Sequence, residues 1–293
     1  MSSQKSESEH FSPYRPDGKL YGFVCIVTGA TQPIGRAVVH ELAAHGAAVV
    51  YACSTEPTDD FTSLVDEVNA RYPSTKVIGY PFKLADEQAT LGLIDDVLNA
   101  WGRLDIYVTC STVAGPKTLV ATTPASLHSL FEANSMAPFL ALKYAPAAMR
   151  KTTPKGNYAN AAPKDRAYGS IVVVSSVANS CAGEGASGPA FTVAAHAALG
   201  VVRAGVPALK GTGVRINCVS AGGIEDSGSQ AADVASHELQ SQEKLGGLGR
   251  SGLPMEVARV VGFLSSGFSS YVTGSNVVVD GGASVINPLG GSS

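Results

Sequence analysis

Apolar residues along this chain fall into short continuous runs separated by stretches with helical spacing. Phe23-Val-Cys-Ile-Val27 is a β-rich run, a glycine-containing turn follows, and Ile34, Val38 and Leu42 then recur about one helical turn apart before Gly46. The same sequence of strand, turn and helix returns at Ala48–Tyr51 with Phe61, Leu64, Val65 and Val68, and again at Val77-Ile78 with Leu91, Ile94, Leu98 and Trp101. Leu104–Val108, Ser170–Val174 and Val214–Cys218 predict further strands, with helices over 124–149 and 189–210 between them. A last helix near 254–264 precedes the run Asn276–Val279. Strands that alternate with helices imply right-handed parallel crossovers, and about seven strands result. The expected fold is α/β, a doubly wound parallel sheet with helices on both faces.

The chain has 293 residues, and open α/β sheets of roughly 250 residues commonly form one domain. With 45% hydrophobic residues, 15% charged residues and 32 glycines, there is apolar material for a sheet covered on both sides and for many tight turns. A single domain over 20–293 is expected, preceded by a polar, proline-containing flexible arm over 1–19. A net charge of −3 gives no field suited to a polyanion, so nucleic acid is not expected as a partner. A small-molecule substrate is expected instead. Five cysteines, an odd number without paired or metal-ligand spacings, read as buried thiols of a reducing cytoplasm. No run approaches ~18 consecutive apolar residues, so no membrane partner is expected.

Two segments break the alternation. Residues 150–169 form an insertion between a helix and a strand, longer than the usual ~4–6-residue connection. Residues 226–249 follow a strand's C-terminal end, where open sheets bind ligands. The first reads either as a surface insertion or as part of a ligand site, the second either as a mobile helix or as part of that site, and both are expected at the same edge of the sheet.

Thr28-Gly-Ala-Thr-Gln-Pro-Ile-Gly35 lies between strand and helix. There glycine lets the backbone approach a pyrophosphate, and a helix N-terminus offers unpaired N–H groups. Asn134-Ser135, Val174-Ser-Ser176, Arg215-Ile-Asn217 leading to Gly222-Gly-Ile224, and Val272-Thr-Gly274 through Asp280-Gly-Gly282 follow in order. With these motifs the chain resembles the classical short-chain dehydrogenases/reductases over residues 20–285, which implies a Rossmann-type fold. Tyr51–Glu56 and Gly252–Val261 look especially like the fungal hydroxynaphthalene reductases, which use NADPH. The resemblance implies that Thr28, Gly29, Gln32, Ile34, Gly35, Ser111, Gly222 and Ile224 hold a dinucleotide. Cys53 stands where NAD-selective members carry an aspartate, and Ser54 and Thr55 are placed to hydrogen-bond a 2′-phosphate, so NADP(H) is the expected cofactor. In this family the fifth helix and last strand commonly build two-fold interfaces, which implies a homodimer or homotetramer.

The departures from the family are specific. Its central glycine is Pro33, which fixes φ and removes an N–H. Its adenine-holding acidic residue is Lys83, its Asn-Asn-Ala-Gly turn is Thr109-Cys-Ser-Thr112, and a threonine near the nicotinamide is Asp226. Its Tyr-x-x-x-Lys pair, which supplies the proton that ketone reduction requires, falls on Phe191 and Ala195, or on Thr192 and His196 in a register shifted by one. Ser176 and Asn134 keep the family's remaining site positions. His196 is either a replacement acid or a packed surface histidine. An acidic residue and an aromatic one before the fifth strand, Asp165 and Tyr168, make the chain similar to the reductase-derived Diels–Alderases of malbrancheamide and paraherquamide biosynthesis. There the loop reads Pro-Asp-Pro-Gly-Trp, against Lys164-Asp-Arg-Ala-Tyr168 here, and an expected arginine is Leu130.

Three functions remain open at this point. One is an NADP(H)-using enzyme of fungal specialised metabolism that reduces or cyclises an iminium-like electrophile, with Asp165 stabilising the cation. The second is a cofactor-independent cyclase or isomerase on the same fold. The third is a non-catalytic partner subunit.

Overall fold

The computed structural model describes residues 17–54, 61–110, 112–153, 164–180, 188–225 and 247–286. Seven parallel strands among them form one sheet: β1 (Val24–Thr28), β2 (Val49–Ser54), β3 (Lys76–Pro81), β4 (Ile106–Thr109), β5 (Gly169–Ser176), β6 (Val214–Ala221) and β7 (Asn276–Val279). Their order is β3-β2-β1-β4-β5-β6-β7. The chain runs outward from β1 to β3, then returns to place β4 on the other side of β1. That reversal leaves a crevice at the C-terminal ends of β1 and β4, the place where such sheets take ligands.

Helices α1 (Pro33–Ala44), α2 (Thr62–Arg71) and α7 (Pro254–Ser265) cover one face, where Val38, Leu42, Leu64 and Val261 pack on Val27, Val50, Val108 and Val172. The other face carries α3 (Glu87–Trp101), α5 (Ala137–Met149) and α6 (Gly188–Ala208), with Leu93, Ala145 and Val202 against Ile26, Tyr107, Ile171 and Ile216. Strands buried on both faces read as unbroken apolar runs, which is why periodicity found them. Helix starts follow local chemistry. Pro33, Pro124 and Pro254 open helices where a missing N–H costs nothing, and Asp86 caps α3 by accepting the Ala89 N–H at 2.9 Å.

The helix expected over 124–149 is interrupted. A π-helical turn at Glu132–Met136 separates α4 (Pro124–Phe131) from α5, and a pattern of apolar residues gives no sign of a one-residue change in hydrogen-bond register. By length and a mean hydropathy of 1.3 alone, the 21-residue α6 could cross a membrane. Here its inner side, including Phe191, Ala194, Ala198 and Val202, is buried within the protein.

The two described ends of the 150–169 insertion, 150–153 and 164–169, are not at the edge expected for it, while 154–163 lie outside the described residues, as does most of the 226–249 segment. Thr153 and Lys164 form an antiparallel bridge, with N···O distances of 2.9 and 3.0 Å, and β5 begins only at Gly169. In a parallel sheet the segment that precedes a strand lies at the N-terminal edge, whereas the segment that follows lies at the ligand edge. Lys164 is fully buried there, 3.0 Å from Asp105 and 2.7 Å from the Leu104 carbonyl. Asp105 also accepts two bonds from Arg103 and the Val24 backbone N–H. Tyr168 is buried against Phe23 and its hydroxyl accepts from Arg103. Asp165 is exposed beside this latch, and the length of β5, from Gly169 to Ser176, separates that edge from Ser176 by roughly 23 Å at about 3.3 Å per step.

Burial pushes the Asp105 carboxyl pKa up, but Lys164 and Arg103 outweigh it and hold the group below the ordinary carboxylate value. A carboxylate with a depressed folded pKa contributes stability above its unfolded pKa, about 3.9, and loses that contribution as pH falls through the folded value. Urea unfolding at neutral pH should show Asp105→Ala to be less stable by about 3–5 kcal/mol, because two buried cations lose their counter-charge. Below about pH 4 the difference between wild type and variant should shrink.

Candidate active site

The β1–α1 turn is built by close backbone approach. Thr28 ends β1 buried, and Gly29 takes φ +68°, a conformation that favours glycine. A Cβ at Gly35 would run into the Gly29 carbonyl oxygen, so turn and helix cross at a distance only glycine allows. Helix α1 then presents the first-turn amides of Ile34 and Gly35, which have no partner one turn back. Pro33 removes one donor from that set. Gln32 reaches across the crevice, where its Oε1 accepts the Thr112 N–H at 3.4 Å.

At the end of β2, Ser54 is buried and its hydroxyl accepts from Thr31 at 3.1 Å. Burial pushes the neighbouring Cys53 thiol pKa far up, so no negative charge stands there. Lys83 follows β3 and is exposed, 3.5 Å from Asp86. The glycine cradle, the α1 amides, and the paired hydroxyls of Thr31 and Ser54 fit a dinucleotide. Its pyrophosphate would face Gly29, Ile34 and Gly35. Thr55 and Ser111, assigned to the same cofactor, lie outside the described residues, as does Asp226.

Further along the same edge, Ser176 ends β5, and its hydroxyl accepts the Ala178 N–H at 3.2 Å, capping a 3₁₀ turn over Val177–Asn179. Asn134 sits in the π-helical turn with both amide functions engaged: it accepts the Val113 N–H at 2.9 Å and donates to the Val113 carbonyl at 3.0 Å. The side chain therefore clamps the segment after β4. Next to it, Ser135 donates to the Ala194 carbonyl at 2.8 Å, joining the π turn to α6. Gly222 is pressed against Asp280, and Ile224 bridges to Gly252.

Phe191 is 7% exposed and Ala195 2% exposed, and both belong to an apolar cluster with Leu130, Ala178, Ala190 and Ala194. In the shifted register, Thr192 donates to the Gly188 carbonyl, and His196 is exposed with Nδ1 2.9 Å from the Thr192 carbonyl. A carbonyl only accepts, so Nδ1 carries the proton in that contact. His196 shares an outward stripe of α6 with the exposed Val193 and Arg203, turned away from the buried cluster. The structure thus collects Thr28, Gly29, Gln32, Ile34, Gly35, Ser54, Lys83, Asn134, Ser176, Gly222 and Ile224 along one edge. It leaves His196 on the outer surface and Asp165 at the far end of the sheet, so neither stands beside Ser176. Sequence reasoning gave no role to Asn179, which is 2% exposed. A polar residue in a turn carries no periodic signal.

The family model for enoyl-(acyl carrier protein) reductases matches residues 29–284. This chain belongs to the short-chain dehydrogenase/reductase family. Its family relatives are oxidoreductases, and the family binds NAD(P)(H). The short-chain dehydrogenase fogB of Aspergillus ruber is 29% identical over 264 residues, spanning 88% of this chain and 96% of that one. The sex determination protein tasselseed-2 of Zea mays is 31% identical, spanning 94% and 84%. A solved short-chain dehydrogenase/reductase from Mycobacterium marinum superposes with a TM-score of 0.78 at 23% identity, over 92% and 98% of the chains, a likeness of fold.

Gly35→Ala tests the cradle. The added methyl group meets backbone that cannot rotate away, so the variant should lose about 1–3 kcal/mol of stability and its dinucleotide affinity together. Thermal unfolding and calorimetric titration read the two effects, and retention of full affinity would contradict the cradle assignment.

Proposed function

We propose that this short-chain dehydrogenase/reductase is an NADP(H)-using enzyme of fungal specialised metabolism that acts on an electrophilic, iminium-like intermediate by reduction, cyclisation or both. The observation that carries this reading is the apolar cluster around Phe191 and Ala195. The two positions that correspond to the family's acid–base pair offer no phenol and no ammonium group. Reduction of a ketone leaves an alkoxide that needs a proton. Reduction of an iminium ion leaves a neutral amine that needs none. A bound NADPH supplies the hydride.

The chain's own residues then do a limited set of tasks. Ser176 accepts from Ala178 and retains its O–H to donate to a substrate heteroatom. Asn134 spends its amide on Val113, so it shapes the wall after β4 rather than exchanging protons. Leu130 and Phe191, both buried, make the adjoining wall apolar. Asp165, at the opposite edge, takes no part in stabilising the cation. Ser54 and Thr31, with uncharged Cys53 beside them, favour a 2′-phosphate over a bare ribose hydroxyl.

Calorimetric titration with NADPH and NADH comes first. NADPH should bind more tightly than NADH, and Ser54→Asp should weaken it roughly tenfold or more by like-charge repulsion. With NADPH, the wild type should reduce a cyclic iminium ion and leave the matching ketone untouched, while the double variant Phe191→Tyr/Ala195→Lys should gain ketone reduction. Ketone reduction by the wild type at a comparable rate would sink the proposal. A cofactor-independent cyclase is the second reading, favoured by Pro33 and by the Gln32–Thr112 contact across the crevice. Binding of neither dinucleotide would leave that reading standing.

A further inference from the structure

We propose that Asn179 is a positioning residue, the buried centre of a part-buried amide–hydroxyl ring that fixes the Ser176 turn against β6 and β7. The proposal rests on the reading of Ser176 as part of the active site. The turn of Val177–Asn179 is held from two sides. On the helix side its contacts are apolar, with Ala178 packed in the cluster of Ala190, Phe191 and Ala194. Such contacts are non-directional and leave rotation and sliding open. On the sheet side Asn179 makes polar, directed contacts.

Asn179 Nδ2 donates to Ser220 Oγ at 2.7 Å and lies 3.5 Å from Cys218 Sγ. Its Oδ1 accepts from Ser180 Oγ at 2.6 Å and from Asn276 Nδ2 at 3.3 Å. Ser220 Oγ in turn donates to Asn276 Oδ1 at 2.5 Å, and Asn276 Nδ2 donates to Ser180 Oγ at 2.9 Å. Asn179, Ser220 and Asn276 therefore close a ring that joins the turn after β5, the C-terminal end of β6 and the start of β7. Each oxygen and nitrogen has a partner, and each bond polarises the next. Asn179 and Ser220 are buried while Asn276 is half-buried and Ser180 exposed, so loss of either buried member strands the other's polar group away from water.

Ser176 lies three residues before Asn179, and its hydroxyl accepts from Ala178 inside the turn that the ring holds. The direction in which Ser176 faces the crevice follows from how the turn sits on the sheet. The side chains at 191 and 195 are apolar, and the ring supplies directed contacts on the sheet side. Asn179 touches neither crevice nor substrate and acts through Ser176.

The test uses the full chain and the variants Asn179→Ala and Ser220→Ala, with hydrogen exchange of the 175–180 backbone and the emission of bound NADPH as readouts. Ser220→Ala is the milder change and carries the test if Asn179→Ala does not fold. Exchange within 177–180 should accelerate by about tenfold or more, the loss expected for a stranded buried hydrogen bond, while exchange in β1 and β2 stays at the wild-type rate. NADPH affinity should stay within about threefold, since the α1 amides are untouched, while the emission of the bound nicotinamide changes. Unchanged exchange at 177–180, or acceleration spread evenly over the sheet, would overturn the proposal. If the wild type binds no NADPH, the functional reading fails, and the exchange readout alone still decides the role of Asn179.

Discussion

Parallel pairing of all seven strands is the constraint on which the rest of this molecule depends. It sends every strand's C-terminal end to one edge of the sheet and every N-terminal end to the other. Residues far apart in sequence, from Thr28 to Ile224, therefore meet along one rim. The same polarity carries the Lys164–Tyr168 stretch to the opposite rim, where its charges serve the Asp105 latch. A chemical role assigned to a loop residue in such a sheet depends first on whether that residue precedes a strand or follows it.

Within the rim, two kinds of force divide the work. The dinucleotide end is shaped by backbone: the Gly29 turn, the approach of Gly35 and the α1 amides leave side chains little to do beyond the Thr31–Ser54 and Gln32–Thr112 contacts. The substrate end is shaped by side chains, with an apolar cluster on the helix side and a hydrogen-bonded ring on the sheet side. A site with no phenol and no ammonium group in its cluster can still be ordered, because the directional contacts come from β6 and β7. What it lacks is a strong proton donor in that cluster. The proposed preference for a cationic acceptor rests on that lack.

The order of elements was readable from the chain because doubly buried strands and two-sided helices leave unmistakable apolar spacings. Glycine and proline marked the turns, and the motif from Thr28 to Gly35 announced its own backbone geometry. The absence of tyrosine and lysine from 191 and 195 is likewise a matter of residue identity, complete before any folding. The π-helical turn at Glu132–Met136 was not readable, because it shifts hydrogen bonds by one residue while leaving the apolar spacing intact. Nor was the position of Asp165. Sequence distance from a strand is visible in the chain, but which rim that strand's end occupies is set by the direction of pairing. His196 faces outward because the rotation of α6 is chosen by Phe191, Ala194 and Ala198 seeking burial together. The ring of Asn179, Ser220 and Asn276 spans 97 positions, and no local pattern of polarity can foretell that three uncharged side chains will satisfy one another. Sequence determined which chemistry was available and which elements would form. Tertiary structure decided which groups share a rim, because burial and strand polarity act across the whole sheet and not along the chain.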